Sequence, residues 1–330
     1  MPQNLILKLA EWISADPDDV TGIRNLKIKI DFLSQVLYKE YRPTMAGVNG
    51  EFQFRLAKWI GSATSDDHKK LMFLLLEHLF FVGKNEFDSL YLTAYSRHIA
   101  TWLLVEGQID FTAPDAKDQV RAARDSTLFS AVTDSFNIGD FLRINSIQGA
   151  EFRFVWEQAI KVNWDPVEFE RVAMAGKNRI VLLEDFVGSG SQMERAVRTA
   201  CTLPGAPEVL LCPLIICPAG AILAKNLVQE YTNLTFKPVL ELNSTDFVQR
   251  ISEPGEPAIF SEFRILVEAL HTKIAGSQDW TQDYGPYGYG GTGGLIVKYD
   301  NTPDNTLPIL HHASNTPWHP LFLRNSRLAE

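Results

Sequence analysis

Apolar side chains recur at every third or fourth position through the first third of the chain, which is typical of amphipathic helices. One stripe leads to a helix that we expect to begin at the Asp16-Pro17 cap and to end before Arg42-Pro43. Two more helices are predicted over 65–81 and 86–104. Residues 1–115 are therefore predicted to form an all-helical accessory region. The stripe of the first of these helices consists of Ile23, Leu26, Ile30, Leu33 and Leu37.

The pattern changes after residue 115, where short apolar runs alternate with amphipathic stretches. Strands are predicted over 127–132, 179–183, 209–217 and 236–240, with helices over 192–203 and 219–231. This alternation implies parallel strands joined by helical crossovers, and the unbroken apolar run 180–183 is typical of a strand covered on both faces. The predicted fold class is α/β, with a parallel-sheet domain over 116–330 beside the N-terminal all-helical region. The domain includes a glycine-rich tail, in which 284–294 is either a lid or a flexible connection and 295–299 a strand.

Composition and charge narrow the class of protein. The chain has 330 residues, of which 45% are hydrophobic and 22% charged, as in ordinary globular proteins. Its formal net charge is −9, so we expect no direct nonspecific binding of nucleic acid. The longest apolar run, 71–82, is interrupted by Glu77 and His78 and is too short for a membrane span. We therefore expect a cytoplasmic protein without a membrane partner, in which the three cysteines are small buried hydrophobes.

The residues 180–192 carry the clearest chemistry. A buried strand leads into Glu184 and Asp185, two apolar residues follow, and a Gly/Ser turn then opens a helix. Ligands of open parallel sheets bind at the carboxyl ends of the strands. The amides of the turn and the positive end of the helix can cradle an anion, and the carboxylates suit sugar hydroxyls or a divalent metal. A sugar phosphate has a group for each part, a phosphate for the anion cradle and hydroxyls for the carboxylates.

Other glycine loops fit less well. No lysine follows the glycines as a P-loop requires, and Met193 stands where a dinucleotide fingerprint has its third glycine. A methyltransferase loop is closer and stays a third possibility. The segment resembles the type I phosphoribosyltransferase signature, with four apolar residues, two acids, two variable positions and a phosphate loop.

This resemblance implies roles for particular residues. Glu184 and Asp185 would be the catalytic and metal-binding pair, holding the ribose hydroxyls and, through the pyrophosphate of the substrate, Mg²⁺. The first acid is Glu where Asp is usual, and the loop reads Gly-Ser-Gly-Ser-Gln where Thr-Thr-Gly-Gly-Thr is typical. The residues implied to grip the 5′-phosphate are Gly188, Ser189, Gly190, Ser191 and Gln192.

An earlier loop takes the pyrophosphate in the family. Thr133, Asp134 and Ser135 follow the strand 127–132 and can form that loop, although an ordinary capped turn explains them equally well. The family also implies a catalytic lysine or arginine. The candidates, among which the sequence does not choose, are Lys177, Arg179, Lys225 and Lys298.

From about residue 125 to the end, the chain resembles the phosphoribosyltransferase-like effectors of bacterial conflict (antiphage) systems, some of them associated with retrons. The resemblance implies a glycosyltransferase-like enzyme of nucleotide metabolism that acts on phosphoribosyl pyrophosphate or a nucleotide, with protein partners in a defence complex. A module that senses such a ligand without turning it over is the alternative.

Overall fold

A computed structural model describes residues 3–44, 50–147, 153–275, 285–313 and 316–325. The chain divides into two compact units. The first combines Met1–Lys84 with Ser244–Glu330, and the second comprises Asn85–Asn243. The boundary predicted near residue 115 therefore falls within the second unit, and the C-terminal tail belongs to the same unit as the N-terminal helices.

The N-terminal part of the first unit is mostly helical, and it departs from the predictions at two helix ends. Asp16 does not cap a helix but closes a turn, accepting hydrogen bonds from the Val20 and Thr21 N–H groups. The helix begins only after Gly22, whose φ is 72°. The helix predicted over 65–81 ends at Leu75, because Phe80–Val82 form a strand instead. The elements are α1 (Gln3–Ala15), α2 (Ile23–Val36), α3 (Phe52–Gly61), α4 (Asp66–Leu75) and β1 (Phe80–Val82).

The second unit has the predicted alternation of helices and parallel strands. The helix predicted over 86–104 is present as α5 and α6, joined by a π-helical segment, Ala94–Ile99. The helices are α5 (Lys84–Thr93), α6 (Ala100–Glu106), α7 (Ala116–Asp125), α8 (Ile138–Ile144), α9 (Trp156–Lys161), α10 (Pro166–Ala173), α11 (Ser191–Cys201) and α12 (Pro218–Glu230). The strands are β2 (Thr127–Ala131), β3 (Arg179–Val187), β4 (Glu208–Ile216), β5 (Leu234–Phe236) and β6 (Leu240–Glu241).

The sheet of the second unit has the strand order β2-β3-β4-β5, with every pair parallel, and β6 pairs with the end of β4. Its central strands are buried on both faces, and Ile180–Leu183 have no exposed surface, as the unbroken apolar run predicted. The α/β fold with parallel sheets is thus confirmed. Because β2 ends at Ala131, opposite Leu183, the last four residues of β3 extend past it at the carboxyl edge of the sheet.

The C-terminal part of the first unit contains α13 (Phe260–Ala275), β7 (Ile296–Lys298) and α14 (Pro308–His311). β7 pairs in parallel with β1, and this pairing is the reason that Phe80–Val82 are extended. Among the described glycines, Gly293 has a φ of +69° and packs so closely on Val248 that a Cβ would lie 2.0 Å from its carbonyl oxygen. Residues 285–294 are therefore packed into this unit, while Asp283 and Tyr284 lie outside the described residues. No helix in the described ranges is both long and apolar enough to cross a membrane.

Candidate functional site

Two predicted groups of residues meet at the carboxyl edge of the second unit's sheet. Glu184 and Asp185 lie in the part of β3 that extends past β2, and both are buried, with 4% and 2% of their surface exposed. The sequence predicted that the strand ends at these acids. In the structure it continues to Val187. Thr133 and Ser135 follow β2 directly, so they reach the same level of the sheet as the two carboxyl groups.

Hydrogen bonds join the loop to the acids. The Thr133 N–H donates to Glu184 Oε2 over 2.8 Å, and its hydroxyl donates to Oε1 over 2.7 Å. The Ser135 hydroxyl lies 2.7 Å from Glu184 Oε1 and 2.8 Å from Asp185 Oδ1. Asp185 Oδ1 also accepts from the Phe186 N–H over 2.8 Å. The capped-turn interpretation of Thr133–Ser135 is therefore incomplete, because these side chains bind the acidic pair. Asp134, between them, is exposed.

The carboxyl and hydroxyl oxygens of this cluster form more short contacts than the two hydroxyl hydrogens can bridge. Thr133 and Ser135 supply one hydrogen each, yet the Ser135 oxygen also lies 2.6 Å from the Thr133 hydroxyl. These atoms form four short contacts with two hydroxyl hydrogens, and a proton on Glu184 would supply a third. Burial raises the pKa of Glu184 well above its usual value, and the neighbouring charge of Asp185 raises it further. Neutral Glu184 beside Asp185 is thus the state that this geometry favours.

The glycine turn stands next to the acidic pair. Gly190 has a φ of +89°, in the left-handed region that favours glycine, and it immediately precedes α11. Gly188 lies against Gly220 of α12, where a Cβ would be 2.8 Å from the Gly188 carbonyl oxygen. Two glycines therefore allow the turn and the helix to approach closely.

The first turn of α11 points its amides out of the same edge. Gly190, the residue before the helix, has no side chain that could cap it. The first N–H groups of α11 are therefore placed to meet an anion. Ser189 is half-buried, whereas Ser191 and Gln192 are exposed. The predicted phosphate loop is therefore a turn at a helix N-terminus, as the sequence indicated.

Glu157, which was not among the residues predicted from the sequence, belongs to the same edge. Its N–H donates to the Val132 carbonyl oxygen over 2.9 Å, which fixes the first turn of α9 beside the end of β2. Its carboxylate accepts a hydrogen bond from Gln192 Nε2 over 2.9 Å and pairs with Lys161 over 2.8 Å. No sequence motif identifies this residue. The neighbouring Trp156, a large apolar residue at the start of a short helix, indicates only that this segment packs into the core.

Two of the four candidate cations lie away from the acids. Lys177 and Arg179 stand at the amino end of β3, where Lys177 Nζ donates to the Asp125 carbonyl oxygen over 3.1 Å. This is the opposite edge of the sheet from the acids, so the structure does not bring either residue to the site. Lys225 pairs with Glu241 over 2.6 Å on the surface of α12. Lys298 is a buried residue of the first unit.

Among known protein families, the model of the family PRTase-CE, which is phosphoribosyltransferase-like, matches residues 56–324. The matched range covers most of the chain and includes both the 133–135 loop and the 184–192 segment. No curated protein and no solved structure gives a significant match to the sequence.

Proposed function

The chain belongs to the PRTase-CE family, and from this premise we propose that its second unit binds phosphoribosyl pyrophosphate or a nucleotide and transfers, pyrophosphorolyses or hydrolyses its ribosyl phosphate. One observation carries the proposal. A buried acidic pair, a hydroxyl loop and a glycine turn at a helix N-terminus lie together at the carboxyl edge of one parallel sheet. This is where open α/β sheets bind their ligands.

Each part of the ligand has a chemical counterpart at this edge. The 5′-phosphate would accept hydrogen bonds from the first amides of α11 and from the hydroxyls of Ser189 and Ser191. The ribose hydroxyls would donate to Glu184 and Asp185. They would do so by taking over the position of the Ser135 hydroxyl, which now bonds both acids. The pyrophosphate would then meet the Thr133–Ser135 loop.

The donor set fits Mg²⁺ only together with the ligand. Asp185 offers the carboxylate oxygens that Mg²⁺ prefers, and Glu184 would offer them on losing its proton when the ion binds. No group of three or more potential metal-binding side chains occurs in the part of the chain that the structure describes. Mg²⁺ commonly binds through one or two carboxylates plus substrate phosphates, and this arrangement suits such a mode. When bound, the ion would neutralise the charge of the pyrophosphate.

The reaction needs positioning rather than a nucleophilic side chain. In the transfer reaction, the bond from the ribose C1 to a pyrophosphate oxygen breaks, and a bond from C1 to a nitrogen of the base forms. The three buried cysteines, whose pKa values burial raises to about 12, supply no thiolate for this chemistry. The side chains of the site would act by holding the ribose and phosphate in line with the attacking group.

The test is calorimetric titration with phosphoribosyl pyrophosphate and nucleoside monophosphates, with and without Mg²⁺, followed by assays for released base or pyrophosphate. We expect Mg²⁺-dependent binding that Asp185→Asn abolishes while the fold is retained. Asp118→Asn, the same change at an exposed position of α7, is the matched control. Normal binding by Asp185→Asn would refute the assignment of the site. Binding of adenosylmethionine instead would favour the methyltransferase interpretation.

A sensor without turnover is the second candidate, and the engaged state of the acids favours it. Both acids already have hydrogen-bond partners, since the Thr133 hydroxyl donates to Glu184 and the Ser135 hydroxyl lies 2.8 Å from Asp185 Oδ1. A module of this kind would report binding through movement of the 133–135 loop. Binding that requires Asp185, without any released base or pyrophosphate, would identify the sensor.

We also propose that the protein works in the cytoplasm as an effector of antiphage defence together with protein partners. This part of the proposal rests on the resemblance of the sequence alone. Cells carrying the native operon should restrict phage, and Asp185→Asn should abolish restriction while Asp118→Asn retains it. Equal restriction by both variants would remove the site from this role.

A further inference from the structure

The first unit contains an open groove of about 480 Å³, a volume typical of small-molecule pockets. One wall is a face of α3 that carries Phe54 and Lys58. Lys273, in the last turn of α13, and His319 also line the groove. The lining includes polar groups: the buried Ser62 hydroxyl accepts a hydrogen bond from the His319 N–H over 3.1 Å.

The groove is basic in a protein whose net charge is −9. Among the described residues, two lysines and a histidine line it, and no carboxylate does. Within the ranges that the structure describes, neither Lys58 nor Lys273 forms an ion pair. Both lysines lie in the last turns of helices, whose carbonyl ends each carry about half a negative charge. Two full positive charges exceed these two half charges, so the groove remains attractive to an anion.

An aromatic ring accompanies the charges. Phe54 is 39% exposed, and the Lys58 ammonium lies 4.8 Å from the centre of its ring. Gly61, which also lines the groove, leaves open space there, since a Cβ added to it would meet no atom within 4 Å. The combination of cations, an accessible aromatic ring and hydroxyl groups suits a ligand that has both a phosphate and a planar part.

We propose that this groove binds a mononucleotide, with its phosphate at Lys58 and Lys273 and its base against Phe54. The site belongs to the first unit, whereas the acidic pair belongs to the second, so the inference does not depend on the proposed function. A nucleotide held here would be a second ligand of the protein, bound without a divalent metal.

The experiment is calorimetric titration of the full chain with AMP, adenosine and inorganic phosphate in the presence of a metal chelator. AMP should bind at least tenfold more tightly than either fragment. The double variant Lys58→Ala/Lys273→Ala should weaken AMP binding at least tenfold. Lys39→Ala, which removes an exposed lysine outside the groove, should leave the affinity unchanged. An unchanged melting temperature of the double variant would establish that its fold is intact.

Photolabelling locates the ligand independently. The azido derivative of AMP should label a peptide that contains residues 54–64, and excess AMP should prevent the labelling. Three results would overturn the proposal: no binding of AMP at millimolar concentration, equal affinity for AMP and phosphate, or normal binding by the double variant. Tighter binding of an acidic peptide than of AMP would also overturn it.

Discussion

The proton on Glu184 has a measurable effect on the stability of the protein. Since the pKa of Glu184 is higher in the folded protein than its ordinary value of 4.5, the folded form keeps a proton that the unfolded chain releases. The stability that this group contributes is complete below about pH 4.5 and is lost as the pH rises towards the folded pKa. Each pH unit in that window costs up to about 1.4 kcal/mol of unfolding free energy.

Glu184→Gln removes the titration and keeps the shape. An amide oxygen can accept from the Thr133 N–H where Oε2 now does, and the amide NH₂ can donate to the hydroxyls of Thr133 and Ser135 where Oε1 lies. We therefore expect the variant to gain stability relative to the wild type as the pH rises. Between about pH 4.5 and the folded pKa, the difference in unfolding free energy should grow by up to about 1.4 kcal/mol per pH unit.

Urea denaturation of both proteins at half-unit steps from pH 5 to pH 8, followed by circular dichroism, measures this difference. Glu262→Gln, the same substitution at an exposed position of α13, should run parallel to the wild type. If the wild type and Glu184→Gln also lost stability in parallel, within about 0.3 kcal/mol, Glu184 would not carry the proton and the reasoning from the hydroxyl hydrogens would be refuted.

Three other substitutions test the surroundings of the site. Gly220→Ala places a Cβ 2.8 Å from backbone of the glycine turn and should lower the unfolding free energy by about 1–3 kcal/mol in urea denaturation. Glu157→Ala releases Gln192, which it binds over 2.9 Å, and should weaken binding of phosphoribosyl pyrophosphate several-fold by calorimetry. Trp156→Phe removes the N–H that donates to the buried Ser130 hydroxyl over 2.8 Å and should cost about 1–3 kcal/mol of stability.

Each substitution has a matched comparison. Gly61→Ala meets no neighbouring atom within 4 Å, so a loss of stability as large as that of Gly220→Ala would contradict the contact argument. Glu168→Ala breaks an exposed pair with Arg171 on α10 and should leave ligand affinity unchanged. For Trp156, a double-mutant cycle with Ser130→Ala should give a coupling energy, and purely additive effects would show that the bond contributes nothing.

The sequence predicts the sheet better than it predicts the ends of its elements. The run Ile180–Leu183 identifies a strand covered on both faces, because few other structures bury consecutive apolar residues. Its extension to Val187 is hidden, since Glu184 and Asp185 look like the start of a loop until their hydrogen-bond donors are known. Phe80–Val82 continue a helical apolar run, and only their pairing with the distant Ile296–Lys298 makes them a strand.

The register between β2 and β3 determines which predicted residues meet at the site and which do not. β2 and β3 pair residue by residue, so the loop after Ala131 must lie beside the acids after Leu183. The same direction places Lys177, which precedes β3, and Arg179, which begins it, at the opposite edge of the sheet. Both could therefore have been removed as candidates from the sequence alone. Glu157 could not be found in this way, because it reaches the site through a single parallel bridge, between Val155 and Ala131, that no apolar period signals.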